Sequence, residues 1–183
     1  AIVESAAQFE GSFITKHNRG GKGLGVRKFD DLASLRNYVA GPEYEPPVDG
    51  VTLVQAYIES PQQFITRCEF VGAEFLYAVR VDTAGGFELC PADVCVPDDK
   101  FCPAGAAAAP QFRIIDDFSS PLVHKYEEFM RANEIDIAGI EFIVDTDGTA
   151  FTYDINTNTN YNPGAEALAG CNGMGAIAGH LAS

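Results

Sequence analysis

Between Gly139 and Asn162 the chain reads GIEFIVDTDGTAFTYDINTNTNYN, with one acid at 141, another at 154, amides at every second position after that, and no basic residue. Suppose Asp145–Gly148 turns a hairpin flanked by Thr146 and Thr149. Glu141 and Asp154 then face each other directly across an antiparallel ladder, and the two-residue period puts Asn156 on the same face as Asp154. Two like charges paired across strands repel, so the arrangement asks for a cation. Ligands that are all oxygen, with neither His nor Cys nearby, point to Mg²⁺ or Mn²⁺ rather than zinc. The plain alternative is a solvated acidic edge, but the flanking Ile140, Phe142 and Ile155 lead us to expect burial. A calcium loop is excluded, because DTDG lacks the rest of the ligand pattern. Asn158 and Asn160 continue the row. They either orient a carboxylate or amine without adding charge, or build an Asx-turn loop.

A second stretch able to do chemistry is KHNRGGKGLGV, from Lys16 to Val26. Gly20, Gly21, Gly23 and Gly25 leave the backbone free to wrap a phosphate with its N–H groups, and Lys16 and Lys22 add positive charge. It does not end in the Gly-Lys-Ser/Thr of a Walker loop, and position 26, where a dinucleotide fingerprint needs its third glycine, is Val. These glycines lie between two strand-like runs, as in a hairpin flap; a flexible turn is the bland reading.

The elements that must position these residues are legible in outline. SFITKHN and VRKF read as strands around the glycines, and DDLASLRNYV as a helix capped by Asp30 or Asp31 with Leu32, Leu35 and Val39 on one face. VTLVQAYI is expected to be a buried strand. QFITRCEFVGAEFLYAVRV reads as a hairpin turning near Gly72–Ala73, and GGFELC as a further short strand. Residues 91–110 break all periodicity and read as a long loop. SSPLVHKYEEFMRAN carries a Ser119 or Ser120 cap, Pro121 in the first turn, and Leu122, Val123, Tyr126, Phe129 and Met130 on one face. Two short helices interrupted by glycine close the chain. Strand-rich order with few helices argues for α+β with antiparallel sheets.

Composition bounds the partners. The 183 residues suffice for one domain with a core, and 46% hydrophobic content excludes disorder. No apolar run approaches the roughly 20 residues of a membrane span. A net charge of −14 repels phosphate backbones, so no nucleic acid partner is expected. Five cysteines without a tight pattern suit a reduced, cytoplasmic protein better than a disulfide framework. Cys90, Cys95, Cys102 and His124 are spaced wrongly for a zinc knuckle.

Taken in order, the lysine-bearing strand, glycine flap, VQAYI strand, arginine-bearing hairpin and the acid followed by acid-x-Asn resemble the ATP-grasp superfamily. Within it the chain is similar to the glutamate-ligase-like branch related to ribosomal protein S6 modification enzymes and glutathione synthetases. The resemblance covers about Phe13 to Leu181. It implies two α+β subdomains whose antiparallel sheets enclose ATP: a smaller lid over 1–54, an adenine hinge over 55–59 and a larger metal-binding part over 60–183. By that resemblance Lys16 contacts a nucleotide phosphate, and Gly20, Gly21, Lys22, Gly23 and Gly25 belong to the flap over the β- and γ-phosphates. Gln55, Tyr57 and Ile58 belong to the hinge, with Glu59 a ribose ligand. Glu141, Asp154 and Asn156 match the ligands of Mg²⁺ (or Mn²⁺), and Arg67 and Arg80 are expected near the transferred phosphate. Ala56 departs from the pattern, since many relatives carry a glutamate there. The chain lacks an initiating Met and starts inside what reads as a helix, so we expect a piece of a longer protein without its N-terminal substrate domain.

The implied activity is an ATP-dependent carboxylate–amine ligase working through an acyl phosphate, with ATP, a small-molecule or peptide carboxylate and an amine as partners. A homo-oligomer is left open. Two rivals share the scaffold: a nucleotide-binding module without catalysis, and a small-molecule kinase in which a hydroxyl takes the phosphate.

Overall fold

Alternation of apolar and polar residues in short runs, broken by Gly, Pro and Asp, produces two small antiparallel sheets rather than one large one. The computed structural model describes residues 2–19, 25–83 and 112–183. These fall into two units, the first running through Glu59 and the second beginning at Ser60.

In the first unit α1 (Ile2–Ala6) precedes β1 (Phe13–His17), β2 (Arg27–Phe29), α2 (Leu32–Ala40) and β3 (Thr52–Ala56). The sheet order is β2-β1-β3, antiparallel throughout. Phe13 and Phe29 turn inward with Ala6 and Leu35 to form the core, closed by partly buried Leu32, Val39 and Val54. Asp31 caps α2, its carboxylate accepting the Ser34 N–H at 2.7 Å. One expectation needs correction: β3 is the sheet's edge and only half-buried, because a three-stranded sheet has no second neighbour to offer it.

The second unit holds β4 (Phe64–Val71), β5 (Glu74–Asp82), β6 (Phe112–Ile114), α3 (Pro121–Ala132), β7 (Ile137–Val144), β8 (Ala150–Asn156), α4 (Pro163–Ala169) and α5 (Gly173–Leu181). The antiparallel order is β6-β5-β4-β7-β8. Gly72 and Ala73 turn the β4–β5 hairpin, both with positive φ, as a two-residue turn matched to strand twist requires. Helix α3 starts at Ser120, with Pro121 in its first turn, and lays Tyr126 and Met130 on Cys68, Phe70, Ala78, Ile140 and Phe142. Phe129, expected on that face, is largely exposed, and β6 is a strand that periodicity did not reveal. Among the described residues no helix is long and apolar enough to cross a membrane. The expected strand over 85–90, the loop over 91–110, Cys90, Cys95 and Cys102, and Gly20, Gly21, Lys22 and Gly23 all lie outside the described residues.

Candidate functional site

The hairpin of β7 and β8 pairs Glu141 directly with Asp154, and Gly139 with Asn156, so both acids and the amide share one face of the sheet. The route to that register differs from a two-residue turn. The loop is longer: the Asp145 N–H donates to the Thr149 carbonyl at 3.0 Å, and the Asp145 carboxylate accepts the N–H groups of Asp147 and Thr149. Val144 consequently stands opposite Ala150 instead of Phe151, one residue out. An extra residue at Tyr153 then restores the pairing, since the register shifts between Glu141 and Phe142.

This bulge also sorts the side chains. Thr152 stays on the helix side, where its hydroxyl meets the Tyr126 hydroxyl at 2.6 Å, while the Tyr153 hydroxyl reaches the other face and donates to Glu141 Oε2 at 2.9 Å. Burial first, and then the charge of Glu141, raise the Tyr153 hydroxyl well above the ordinary phenol range, so it remains a donor. Because β8 is the sheet edge, Ile155 is exposed, contrary to the expected burial; Ile140 and Phe142 on β7 are buried.

The cation that the paired acids ask for is partly supplied by the protein. Arg67 on β4 is the direct partner of Glu141 from the other side, and its Nη1 donates to Glu141 Oε1 at 2.9 Å. Its Nε donates to Glu69 Oε1 at 2.5 Å and its Nη2 to Thr159 Oγ1 at 2.5 Å, so three of its five N–H bonds are engaged. Thr159 completes the ring by donating to Glu69 Oε2 at 2.7 Å. The guanidinium passes directly over Gly139, where a Cβ would lie 2.6 Å from Cζ, so any side chain here must displace it. Burial works against the charge on Arg67, but Glu69 and Glu141 outweigh it and hold the group more firmly protonated than usual. Burial raises the Glu69 carboxyl above its ordinary value despite Arg67.

The amide row beyond Asn156 does local work. The Asn156 side-chain oxygen accepts the Asn158 N–H at 2.9 Å, and that of Asn162 accepts the Ala165 N–H at 2.8 Å as the cap of α4. Glu166 on α4 is buried and accepts from the Tyr77 hydroxyl at 2.7 Å and from Gly173 N–H at the start of α5. The segment from Asn156 to Asn162 is thus tied to the face that carries Arg67 and Glu69 at Thr159 and, through α4, beyond its far end.

Arg80 is turned away from this row. Thr66 pairs with Arg80 and Arg67 with Val79, so strand alternation places the two arginines on opposite faces. Arg80 stacks over the Phe64 ring at 4.0 Å. Cys68, on the helix side, is an inert thiol pushed up to about 12 by burial. His124 pairs with Glu128 on the exposed side of α3, and no group of three or more His, Cys, Asp or Glu side chains converges among the described residues.

In the first unit Lys16 lies opposite Leu53, and Ile14 opposite both Gln55 and Lys28, so Lys16, Gln55 and Lys28 share the face turned away from the Phe13 core. Lys28, which sequence reasoning passed over, sits 4.1 Å from the centre of the Tyr57 ring. The Tyr57 N–H donates to the Ser12 carbonyl, continuing the β1–β3 ladder past Ala56; Ile58 is half-buried and Glu59 exposed at the strand's exit. Gly25, with positive φ, rests against the His17 ring, whose Nε2 is 3.1 Å from the Glu45 carbonyl oxygen. Asp49 holds Asn18 at 3.0 Å and lies 3.7 Å from Arg19.

No protein-family model matches the chain, and no curated protein does. Solved structures do. The ATP-grasp ligase PsnB complexed with a minimal precursor is 16% identical, with a TM-score of 0.59, covering 96% of this chain and 52% of its own. D-cycloserine synthetase DcsG is 16% identical at a TM-score of 0.58, covering 96% and 56%. A RimK domain ATP-grasp protein from Sphaerobacter thermophilus is 16% identical at 0.58, covering 100% and 57%. The chain has the ATP-grasp fold. It spans about half the length of these similar structures.

Proposed function

We propose that the chain is the nucleotide-binding part of an ATP-dependent carboxylate–amine ligase that works through an acyl phosphate. The observation that carries this reading is the row of Arg67, Glu141 and Asp154 across three strands, with Asn156 on the same face. Two carboxylates and an amide oxygen are hard donors suited to Mg²⁺, with Mn²⁺ as an alternative. That donor set fits the ion found with ADP in a PsnB complex.

When bound by Glu141, Asp154 and Asn156, Mg²⁺ supplies charge neutralisation and Lewis acidity to the transferring phosphoryl group. Arg67 and Tyr153 hold the Glu141 carboxylate in a fixed orientation from two sides. Lys16 neutralises phosphate charge, and by the sequence resemblance Lys22 and the amides of Gly20, Gly21, Gly23 and Gly25 are assigned to the phosphates as well. Gln55, Tyr57 and Ile58 receive the adenine and Glu59 the ribose. A substrate carboxylate attacks the γ-phosphorus and displaces ADP; an amine then attacks the acyl carbon and displaces phosphate, forming the C–N bond. Of the two hairpin arginines, Arg67 shares the face of the metal ligands and is the one we assign to this chemistry; Arg80 takes no part in it. The similar solved structures are about twice this length, and a cytoplasmic setting suits an ATP-consuming ligase with free thiols.

Calorimetric titration with ATP and with NAD, each with Mg²⁺, tests the reading. MgATP should bind more tightly, and Asp154→Asn should weaken it; tighter NAD binding overturns it. Product analysis on the full-length protein separates ligase (ADP and an amide) from kinase (a phosphate ester) and from a binding module (neither).

A further inference from the structure

Glu69 is a carboxylate on β4, the central strand of its sheet, only 2% exposed, and strand alternation does not require an acid there. Nothing in the ligase reading uses it. A buried carboxylate costs several kcal/mol unless paired, and paired ones are often no better than apolar residues of the same size. Its contacts suggest why it is present. One oxygen takes the Arg67 Nε–H, and the other takes the Thr159 hydroxyl. Through Arg67 it acts on Glu141, and through Thr159, three residues past Asn156, it anchors the exit of β8.

We infer that Glu69 is a positioning residue for the divalent-cation site, sharing the charge of Arg67 with Glu141 and tethering the segment that carries Asn156. The inference rests on the metal reading above. A guanidinium facing Glu141 alone would place its whole charge beside the carboxylate that must face the metal. Glu69 shares that charge, so Arg67 orients Glu141 without displacing a divalent ion. The Thr159 bridge, which both accepts from Arg67 and donates to Glu69, limits the motion of the strand end.

The test compares ATP affinity with Mg²⁺ and with the metal chelated, by calorimetry on the intact chain. The ratio of the two affinities isolates the metal's contribution. Glu69→Gln keeps the volume and removes the charge; it should cut that ratio about tenfold, the size of one lost charge-assisted hydrogen bond, while leaving metal-free ATP binding undiminished. A merely structural role would weaken both affinities together and leave the ratio unchanged, which overturns the inference. Asp154→Asn serves as the reference. If it leaves the ratio intact, or if the chain shows no ATP binding at all, the metal reading fails and this inference fails with it; if Asp154→Asn lowers the ratio and Glu69→Gln does not, only the inference fails. Should Glu69→Gln not fold, Thr159→Val decides, with a smaller drop in the ratio expected and an unchanged ratio counting against the inference.

Discussion

On one face of β4 and β7 lie Cys68, Phe70, Ile140 and Phe142; on the other, alternating with them in sequence, lie Arg67, Glu69 and Glu141. Both sets are buried: Phe70 and Ile140 are at 0% exposure, Glu69 at 2% and Glu141 at 9%. The first is covered by α3 and held by apolar contact, with the Phe70 ring set edge-on to Phe75 and Tyr126. The second is held by a ring of charge-assisted hydrogen bonds, in which each member needs the others. Apolar packing lowers the free energy of the fold outright, whereas a buried charged network roughly offsets its own desolvation. The comparison teaches where function is to be sought. The helix-side face accounts for stability; the charged face adds little to it, which is why we place the proposed site there.

If that division is right, damage to the two faces should be separable. Phe70→Ala should cost the most, about 3–5 kcal/mol of unfolding free energy in a denaturant titration, with the metal-dependent part of ATP binding unchanged in the folded protein. A loss of metal dependence at unchanged stability would break the comparison.

Arg67→Met sharpens it from the other side. It leaves Glu69 and Glu141 buried without their cation, at a cost of about 3–5 kcal/mol, and that cost should depend on pH. The Glu69 carboxyl already lies above its ordinary value because burial outweighs Arg67, and removing Arg67 raises it further. A carboxyl whose folded value is raised binds protons more readily in the folded state. Its favourable contribution is therefore fully present below the unfolded value and lost as pH rises through the folded value. The variant should regain stability as pH falls from neutral into the carboxylate range, measured against wild type at each pH. A flat difference between the two proteins would mean the carboxylates are not the source of the loss.

Asp154→Asn should invert the pattern of Phe70→Ala. We expect metal-dependent ATP binding to fall by about 2–4 kcal/mol, the cost of one charge-stabilising group, with the metal-free fold as stable as wild type or more so, since a like-charge cross-strand neighbour of Glu141 is gone. Unfolding of this variant with unaltered ATP binding by the folded fraction would make Asp154 a structural residue.

How much of this was legible in the sequence follows from what each residue's environment depends on. The pairing of Glu141 with Asp154 was legible because it depends on local spacing, although two local deviations, a longer loop and a bulge at Tyr153, cancel to produce it. The exposure of Ile155 and the half-burial of β3 were not, because edge position is a property of the sheet order and not of the strand. The partnership of Arg67 with Glu141 joins residues 74 apart. The one local signal for the network was Arg67 and Glu69 two positions apart in a mostly apolar strand, which strand alternation places on a common face. Strand β6 is three residues long, too short to show a period.

Gly139→Ala should have the smallest effect and gives the cleanest reading of the charged face. Gly139 lies on β7 opposite Glu69, and a Cβ there would lie 2.6 Å from Arg67 Cζ and 2.8 Å from Nε. The added methyl meets the guanidinium plane, not the free end of a loose chain, and the guanidinium is pinned by Glu69, Glu141 and Thr159. Accommodating it must stretch or break at least one of those bonds, so we expect a loss of about 1–3 kcal/mol from overpacking. Backbone strain does not contribute, because Gly139 is not among the residues of positive φ. With Arg67→Ala already in place the obstacle is absent, and the same substitution should cost almost nothing. A double-mutant cycle between the two positions should therefore return most of the single-variant loss as coupling. Additive losses would mean that Gly139 serves the backbone of β7 rather than the path of Arg67, and that the guanidinium is less firmly seated than its three partners imply.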